Sequence, residues 1–341
     1  MKRITRFLAA AAVLFAIAPI AGNAVAGDKE VPRQTSFGGS CVKCELAGRN
    51  MAGARIVGAN FSGANLTGAN LRDAKFHASI FSGADLTKAD LTDAAMAGAV
   101  FSSANLTGAR MRAAEANGVV FVQANMTRAD LSDVEASGAV FRKAILISAN
   151  FRSATLRGVV FEGADLSRAS MNDIEAQGAN FTKARLSHAI LKSAELQHAN
   201  FTRAEAYSVN LQDADLTGAL LSHAVFSQAS FRNADLTHAS LSGSSFDGAD
   251  FRGADLSRAM LHGANLSDAR GLNQDQLDEA CGDARTKLPR GLTVRMCTGV
   301  RLIVKPDTYR TMRMVPAVPA APSPPSPPAP PSPRYFLTTL H

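Results

Sequence analysis

Four cysteines are the residues best equipped for chemistry in this chain. Cys41 and Cys44 flank Val42-Lys43, a spacing that suits a redox pair, a metal half-site or a structural disulfide; Glu45 in place of histidine excludes covalent haem attachment. A structural bridge or a pair of buried thiols closing one end of the fold is the preferred reading. Cys281 and Cys297 stand near the other end of the chain. His188, His198, His223 and His238 fall on different faces of the coil described below, not at metal-ligand spacing. The sequence contains no phosphate loop, no His-Glu-x-x-His and no nucleophile elbow, and its Asn-Leu-Thr triplets are products of a repeat. With 46% hydrophobic residues but only 6% aromatic and no Trp, the apolar mass is mostly Ala and Leu, which shape a pocket poorly. The expectation is a protein that is not an enzyme and carries neither cofactor nor metal.

The elements that must position these residues are written in a repeat. From Met51 to Leu266 every fifth residue is Leu, Phe, Met or Ile in 40 of 44 cases, the exceptions being Ala116, Ala136, Ala176 and Ala206. Two residues before each centre stands Ala, replaced in a few units by Val, Ile or Ser, as at Ser79 and Ser244. A period of five is neither the 3.6 of a helix nor the 2.0 of a strand, yet the Ala-x-Leu triplet alternates like a strand. Three extended residues followed by a two-residue turn satisfy both facts. Such units cannot bury their apolar residues singly, so they wind into a coil whose inward residues stack on the next. Phe61, Phe81, Phe101, Phe121, Phe141, Phe161, Phe181 and Phe201 recur every 20 residues, so four pentapeptides make one coil and these rings one interior ladder.

Residues 46–270 then hold about eleven coils, and at roughly 4.8 Å per coil the rod is on the order of 50 Å long. Both Cys41 and Cys44 fall on inward positions of the extended register, at the mouth of the first coil. Bridged cysteines need Cα atoms within about 7 Å. The rod length therefore forbids pairing between its ends, and Cys41–Cys44 and Cys281–Cys297 are the expected bridges. Ala136 and Ala176 follow Val134 and Ile174, which conserve the inward volume of their units. Ala116 and Ala206 have no such partner in their own units, and a neighbouring Phe, Tyr207 or a lined cavity are the alternatives there.

Units such as Ala64-Asn65-Leu66-Thr67-Gly68 and Ala254-Asp255-Leu256-Ser257-Arg258 resemble the pentapeptide-repeat family, over about two thirds of the chain. The resemblance implies an all-β fold, a right-handed quadrilateral parallel β-helix, narrow and solid. Residues 273–297, with Asn273 starting a short helix, look like an ending found on other exported members, a helical C-terminal cap. Some members imitate DNA and protect gyrase. That role needs a dense negative surface, whereas residues 46–270 hold 21 Arg and Lys against 21 Asp and Glu.

On a filled rod, function lives on outer columns, obtained by taking every twentieth residue. Ile80, Val100, Val120, Val140 and Val160 form a β-branched strip, read either as a docking surface for a partner or a second copy, or as residues that favour a flat wall. Glu115, Glu135, Glu175, Glu195, Asp215, Asp235 and Asp255, interrupted at Thr155, form an acidic column whose like charges repel unless neighbours screen them. On a third side Arg72, Arg112, Arg152 and Lys192 alternate with Asp93, Asp133, Asp173 and Asp213, a pattern expected to pair across coils.

The ends explain the charge. Lys2, Arg3 and Arg6 precede an apolar run from Phe7 to about Ala21, and Ala24-Val25-Ala26 offers a cleavage site, so residues 1–26 read as a secretory signal and the mature chain begins near Gly27. An uncleaved anchor is the alternative, weakened by Pro19 and by a run shorter than roughly 20 residues. The expected order is signal 1–26, N-terminal segment 27–45, β-helix 46–270, disulfide-containing cap 271–315 and Pro-rich disordered tail 316–341. Of the net +7, three charges belong to the signal, and residues 271–341 carry nine basic against five acidic residues. The expected partner is an unidentified protein or a second copy, with no nucleic acid, and the cationic tail is expected to touch an anionic surface weakly. The place of work is the periplasm or the exterior, where disulfides persist.

Overall fold

The computed structural model describes residues 39–297; the expected signal, residues 27–38 of the N-terminal segment, residues 298–315 of the cap and the Pro-rich tail lie outside them. One pentapeptide shows why the repeat folds as it does. The Asn65 N–H donates to the Cys44 carbonyl of the coil before at 2.9 Å, and the Leu66 and Gly68 N–H groups donate to the Asp85 and Thr87 carbonyls of the coil after at 2.7 and 2.8 Å. The Ala69 N–H closes a turn on the Leu66 carbonyl at 3.0 Å. The remaining donor, Thr67 N–H, meets the side-chain oxygen of Asn65 at 3.2 Å. All five donors are satisfied, which backbone in a packed solid requires.

Repeated along the chain, this unit gives parallel pairs at a constant separation of 20 residues from Ser40↔Asn60 to Asp250↔Arg270. Each side of a coil contributes one paired residue, so no long strand forms and four sides close the coil. Within each turn the second residue is left-handed, with φ between 51° and 69° from Lys43 to Gly263. That conformation at the third position of a four-residue turn is what a type II turn demands. Glycine meets it without strain, yet Ala78 and Ala113 also adopt it.

The interior is filled. Centres and Ala positions from Met51 to Leu266 are all buried, most at 0% exposure. The Phe ladder stacks with centroid spacings from 4.6 Å (Phe181–Phe201) to 5.3 Å (Phe101–Phe121). Where Leu221 ends it, Phe226–Phe246 and Phe231–Phe251 continue the aromatic packing on other sides. Ser79 and Ser244 replace Ala without leaving a polar orphan, because each hydroxyl enters the turn of the preceding coil. The Ser79 hydroxyl donates to the Ile56 carbonyl at 2.8 Å and accepts from the Ala59 N–H at 3.2 Å.

At Ala116 and Ala206 the adjoining apolar volume comes from the residue across the turn. Val119 and Val209 are fully buried, and their N–H groups close turns on the Ala116 and Ala206 carbonyls. Tyr207 points outward, 47% exposed, with its ring edge-on to His188.

After Arg270 the register loosens, Met260 pairing with Cys281 and Asn265 with Lys287. Here α1 (Gln274–Leu277) starts at an Asn273 capping box, and β1 (Cys281–Gly282) pairs in parallel with β2 (Arg295–Met296). Leu277 and Ala280 are buried on the core, and the Gln276 amide donates to the Phe251 and Ala254 carbonyls. The segment thus covers apolar surface and satisfies carbonyls that a further coil would otherwise have taken.

Candidate interaction surfaces on the outer columns

Every outward chemical group in the coil is a bridging or turn residue, and its position is dictated by the 20-residue ladder. Ile80 pairs with Val100, Val100 with Val120, Val120 with Val140 and Val140 with Val160, so the β-branched strip is one continuous column. Ile80 is 40% exposed and the valines are half-buried against one another. The corner before the strip carries Gly98, Gly118, Gly138, Gly158 and Gly178, each with no atom within 4 Å of where a Cβ would stand. The long side chains of that corner, Arg157 and Gln177, turn to Glu175 and Glu195 on the other side of it. The wall is flat, apolar and open along that edge.

The acidic column is likewise continuous through Thr155, but it divides by chemistry. Asp215, Asp235 and Asp255 each accept from the N–H two residues on, at 2.8 to 2.9 Å, the local bond that a short carboxylate makes and a Glu does not. Burial pushes the Asp215 carboxyl up, but the Thr217 hydroxyl and N–H and the Gln197 amide outweigh it and leave it below the usual range. Asp255 is also held low, chiefly by Ser257. Among the glutamates, Glu175 meets Arg157 at 2.7 Å and Glu195 meets the Gln177 amide, both reaching back one coil. Much of the column's negative charge is therefore engaged by its own rod.

The third side pairs across coils: Arg72–Asp93 at 3.8 Å, Arg112–Asp133 at 3.1 Å, Arg152–Asp173 at 3.9 Å and Lys192–Asp213 at 3.8 Å. Beside them Asp90 is nearly buried. Desolvation pushes its carboxyl up, while Thr92 and the Arg110 guanidinium, 2.9 Å away, more than reverse the shift. Exposed pairs of this kind contribute about 0 to 1 kcal/mol each, so they keep adjacent coils in register more than they stabilise the fold.

Cys41 is bonded to Cys44 and Cys281 to Cys297, with Cα separations of 5.3 and 4.7 Å. The first pair packs against the core at the mouth of the coil; the second ties β1 to the residue that follows β2. His198 and His238 share one corner two coils apart, against the expectation of four different faces, because 40 residues are two full circuits; His188 and His223 stand on other corners, and the described residues hold no cluster of three metal-ligating groups. The His198 and His223 rings lie on Gly218 and Gly243 of the next coil, where a Cβ would stand 2.6 and 2.7 Å from Nδ1.

Sequence reasoning missed the second duty of bridging Asn and Asp residues, which accept the N–H two places on. The signal was available, because Asn or Asp followed two places later by Ser or Thr recurs along the repeat, as in Asn105-Leu106-Thr107 and Asp165-Leu166-Ser167. Those columns are partly structural, whereas the side chains of the valine strip have no hydrogen bond to make.

A solid four-sided coil with a five-residue period defines a β-helical repeat protein rather than a pocketed domain. The family model described as Pentapeptide repeats (8 copies) matches stretches, most of them overlapping, that run from 41–83 to 234–270. The chain belongs to the pentapeptide-repeat family, whose members fold as right-handed quadrilateral β-helices. Among solved structures it is similar to HetL, a pentapeptide repeat protein involved in heterocyst differentiation regulation from the cyanobacterium Nostoc sp., at 28% identity over 66% of this chain and 89% of that one, TM-score 0.31. It is also similar to QnrB1, a plasmid-mediated fluoroquinolone resistance protein (23% identity, 56% and 90% coverage, TM-score 0.28). Rfr23 from the cyanobacterium Cyanothece is a third (22% identity, 39% and 90% coverage, TM-score 0.19). No curated protein matches the chain.

Proposed function

We propose that this chain is a non-enzymatic structural and interaction protein of the cell envelope, a rigid β-helical rod that presents outer side-chain columns to a protein partner. The observation that carries the reading is the filled interior: centres and Ala positions are buried from Met51 to Leu266, so recognition is left to the outer surface. Export is supported by the leader-like residues 1–26 and by two disulfides, which persist outside the cytoplasm. Photoreactive residues at positions 120 and 195, introduced into the exported chain in cells, test it. Crosslinks to a protein at position 120, lost when Val140→Arg is added, are the expected result; crosslinks at neither position would overturn the reading.

A DNA-mimicking, topoisomerase-binding role is the alternative, favoured by the in-register carboxylates from Glu115 to Asp255. It predicts topoisomerase capture at position 195. The balance of 21 basic and 21 acidic residues in 46–270, and the engagement of Glu175, Glu195 and Asp215 by their own coils, weigh against it.

A further inference from the structure

The column that contains the valine strip reads Asn60, Ile80, then valine at 100, 120, 140 and 160, then Asn180, each residue paired to the next. It is close to a palindrome about Val120, apolar in the middle and closed by an asparagine at each end. A two-fold axis lying in the plane of this wall, across the rod at Val120, brings a second copy onto it antiparallel. That operation sets Val120 against Val120, Val100 against Val140, Ile80 against Val160 and Asn60 against Asn180.

The flanking columns agree with the same axis. On the following edge the first turn residues, which border the strip, include Arg142 and Glu162, joined to each other at 3.0 Å; Lys143 is the second residue of its turn, one place further from the strip. In the antiparallel arrangement Arg142 and Glu162 face Ser102 and Ser82 of the other copy, so hydroxyls meet charges and no like charges oppose. A parallel arrangement turns the following edge of one copy toward the glycine corner of the other and sets Arg142 over Ser137-Gly138 and Glu162 over Arg157-Gly158, where the Arg157 guanidinium is already engaged by Glu175 of its own rod. On the preceding edge, antiparallel docking sets Gly98 against Gly138 and Gly118 against itself, with open space above each. The two walls can therefore approach to sheet-packing distance, about 10 Å.

We infer that the strip from Ile80 to Val160 is a self-docking surface on which two copies of this chain pack antiparallel about Val120. This rests on the reading of the outer columns as interaction surfaces and names the partner of one of them. Six steps of about 4.8 Å along a side about 10 Å wide give about 300 Å² of wall per copy, or about 600 Å² for the pair. That is about half of what a stable interface buries, so the dimer is transient and is read best by proximity crosslinking at high protein concentration.

All four cysteines of the chain are bonded, so an introduced cysteine supplies the free thiol for a short bismaleimide. In the full exported chain, Val120→Cys is expected to crosslink to itself at least tenfold faster than Thr155→Cys, a collision control on the acidic side. Ile80→Cys and Val160→Cys are expected to crosslink when mixed and not when alone, and adding Val120→Arg to both should abolish that product. Matching thermal melts establish that each variant is folded, as expected where bridging positions on the other columns accept Arg110 and Arg185. Self-crosslinking by Ile80→Cys alone would overturn the antiparallel axis. Equal, slow reaction at all positions would overturn the second copy as occupant, and would leave the outer-column reading to stand or fall on the photocrosslinks at position 120.

Discussion

Phe141→Ala is the perturbation that interrogates the filled interior most directly. The Phe141 ring is fully buried and stacks on Phe121 at 4.8 Å and on Phe161 at 5.0 Å, with Phe151 edge-on at 5.8 Å. Truncation removes these contacts and opens a cavity in a solid that relaxes little, which costs about 3 to 5 kcal/mol. Phe61 near the mouth of the coil provides the internal control, because it is 4% exposed and stacks on Phe81 alone, at 5.1 Å. Two fewer ring pairs, at about 0.5 to 1.5 kcal/mol each, make Phe61→Ala milder by about 1 to 3 kcal/mol. Urea unfolding followed by far-ultraviolet circular dichroism and by hydrogen exchange measures both, since repeat arrays can open locally as well as globally. Exchange protection should fall first in the coils on either side of position 141. Equal costs for the two variants, or a cost below about 1 kcal/mol for Phe141→Ala, would refute the picture of a continuous stacked interior.

Two further outcomes follow from the turns and the closing segment. Gly178→Ala should cost about 1 kcal/mol for its left-handed backbone, and Gly218→Ala about 1 kcal/mol more because its Cβ meets the His198 ring; His198→Ala should erase that excess in a double-mutant cycle. Asp283 accepts from the Gly263 N–H at 2.8 Å, and that bond, with those from Arg285 and Thr286, outweighs its desolvation and holds its carboxyl down at about 2. A folded value below the unfolded one means that the stabilisation is present above about pH 4 and is lost as pH falls through 2. Melting temperature against pH should therefore drop across that window, and Asp283→Asn should flatten its share of the slope.

The coil was legible in the primary structure because its rule is local. A residue every fifth place, an Ala two before it and a Phe every twentieth are enough to name the inward pair, the turn and the coil length. The cross-coil ion pairs were legible for the same reason, since Arg72 and Asp93 are placed by counting. Ala116 and Ala206 were less tractable, since each is compensated across its turn by the inward residue of the next unit rather than of its own. The register change beyond Arg270 was also hidden, for there the pairing step departs from 20 and no repeat announces it.

Which side chains face in and how many residues complete a circuit can be counted off the chain, because burying apolar surface in a narrow repeating coil imposes those choices on every unit. It took the folded coil to show that Tyr207 turns outward against His188, that the His198 ring lies on Gly218, and that Arg157 and Gln177 reach back to Glu175 and Glu195. Each of these depends on atoms about one coil away, where neighbouring coils compete for the same space and the same hydrogen bonds. A five-residue period carries no record of how that competition ends.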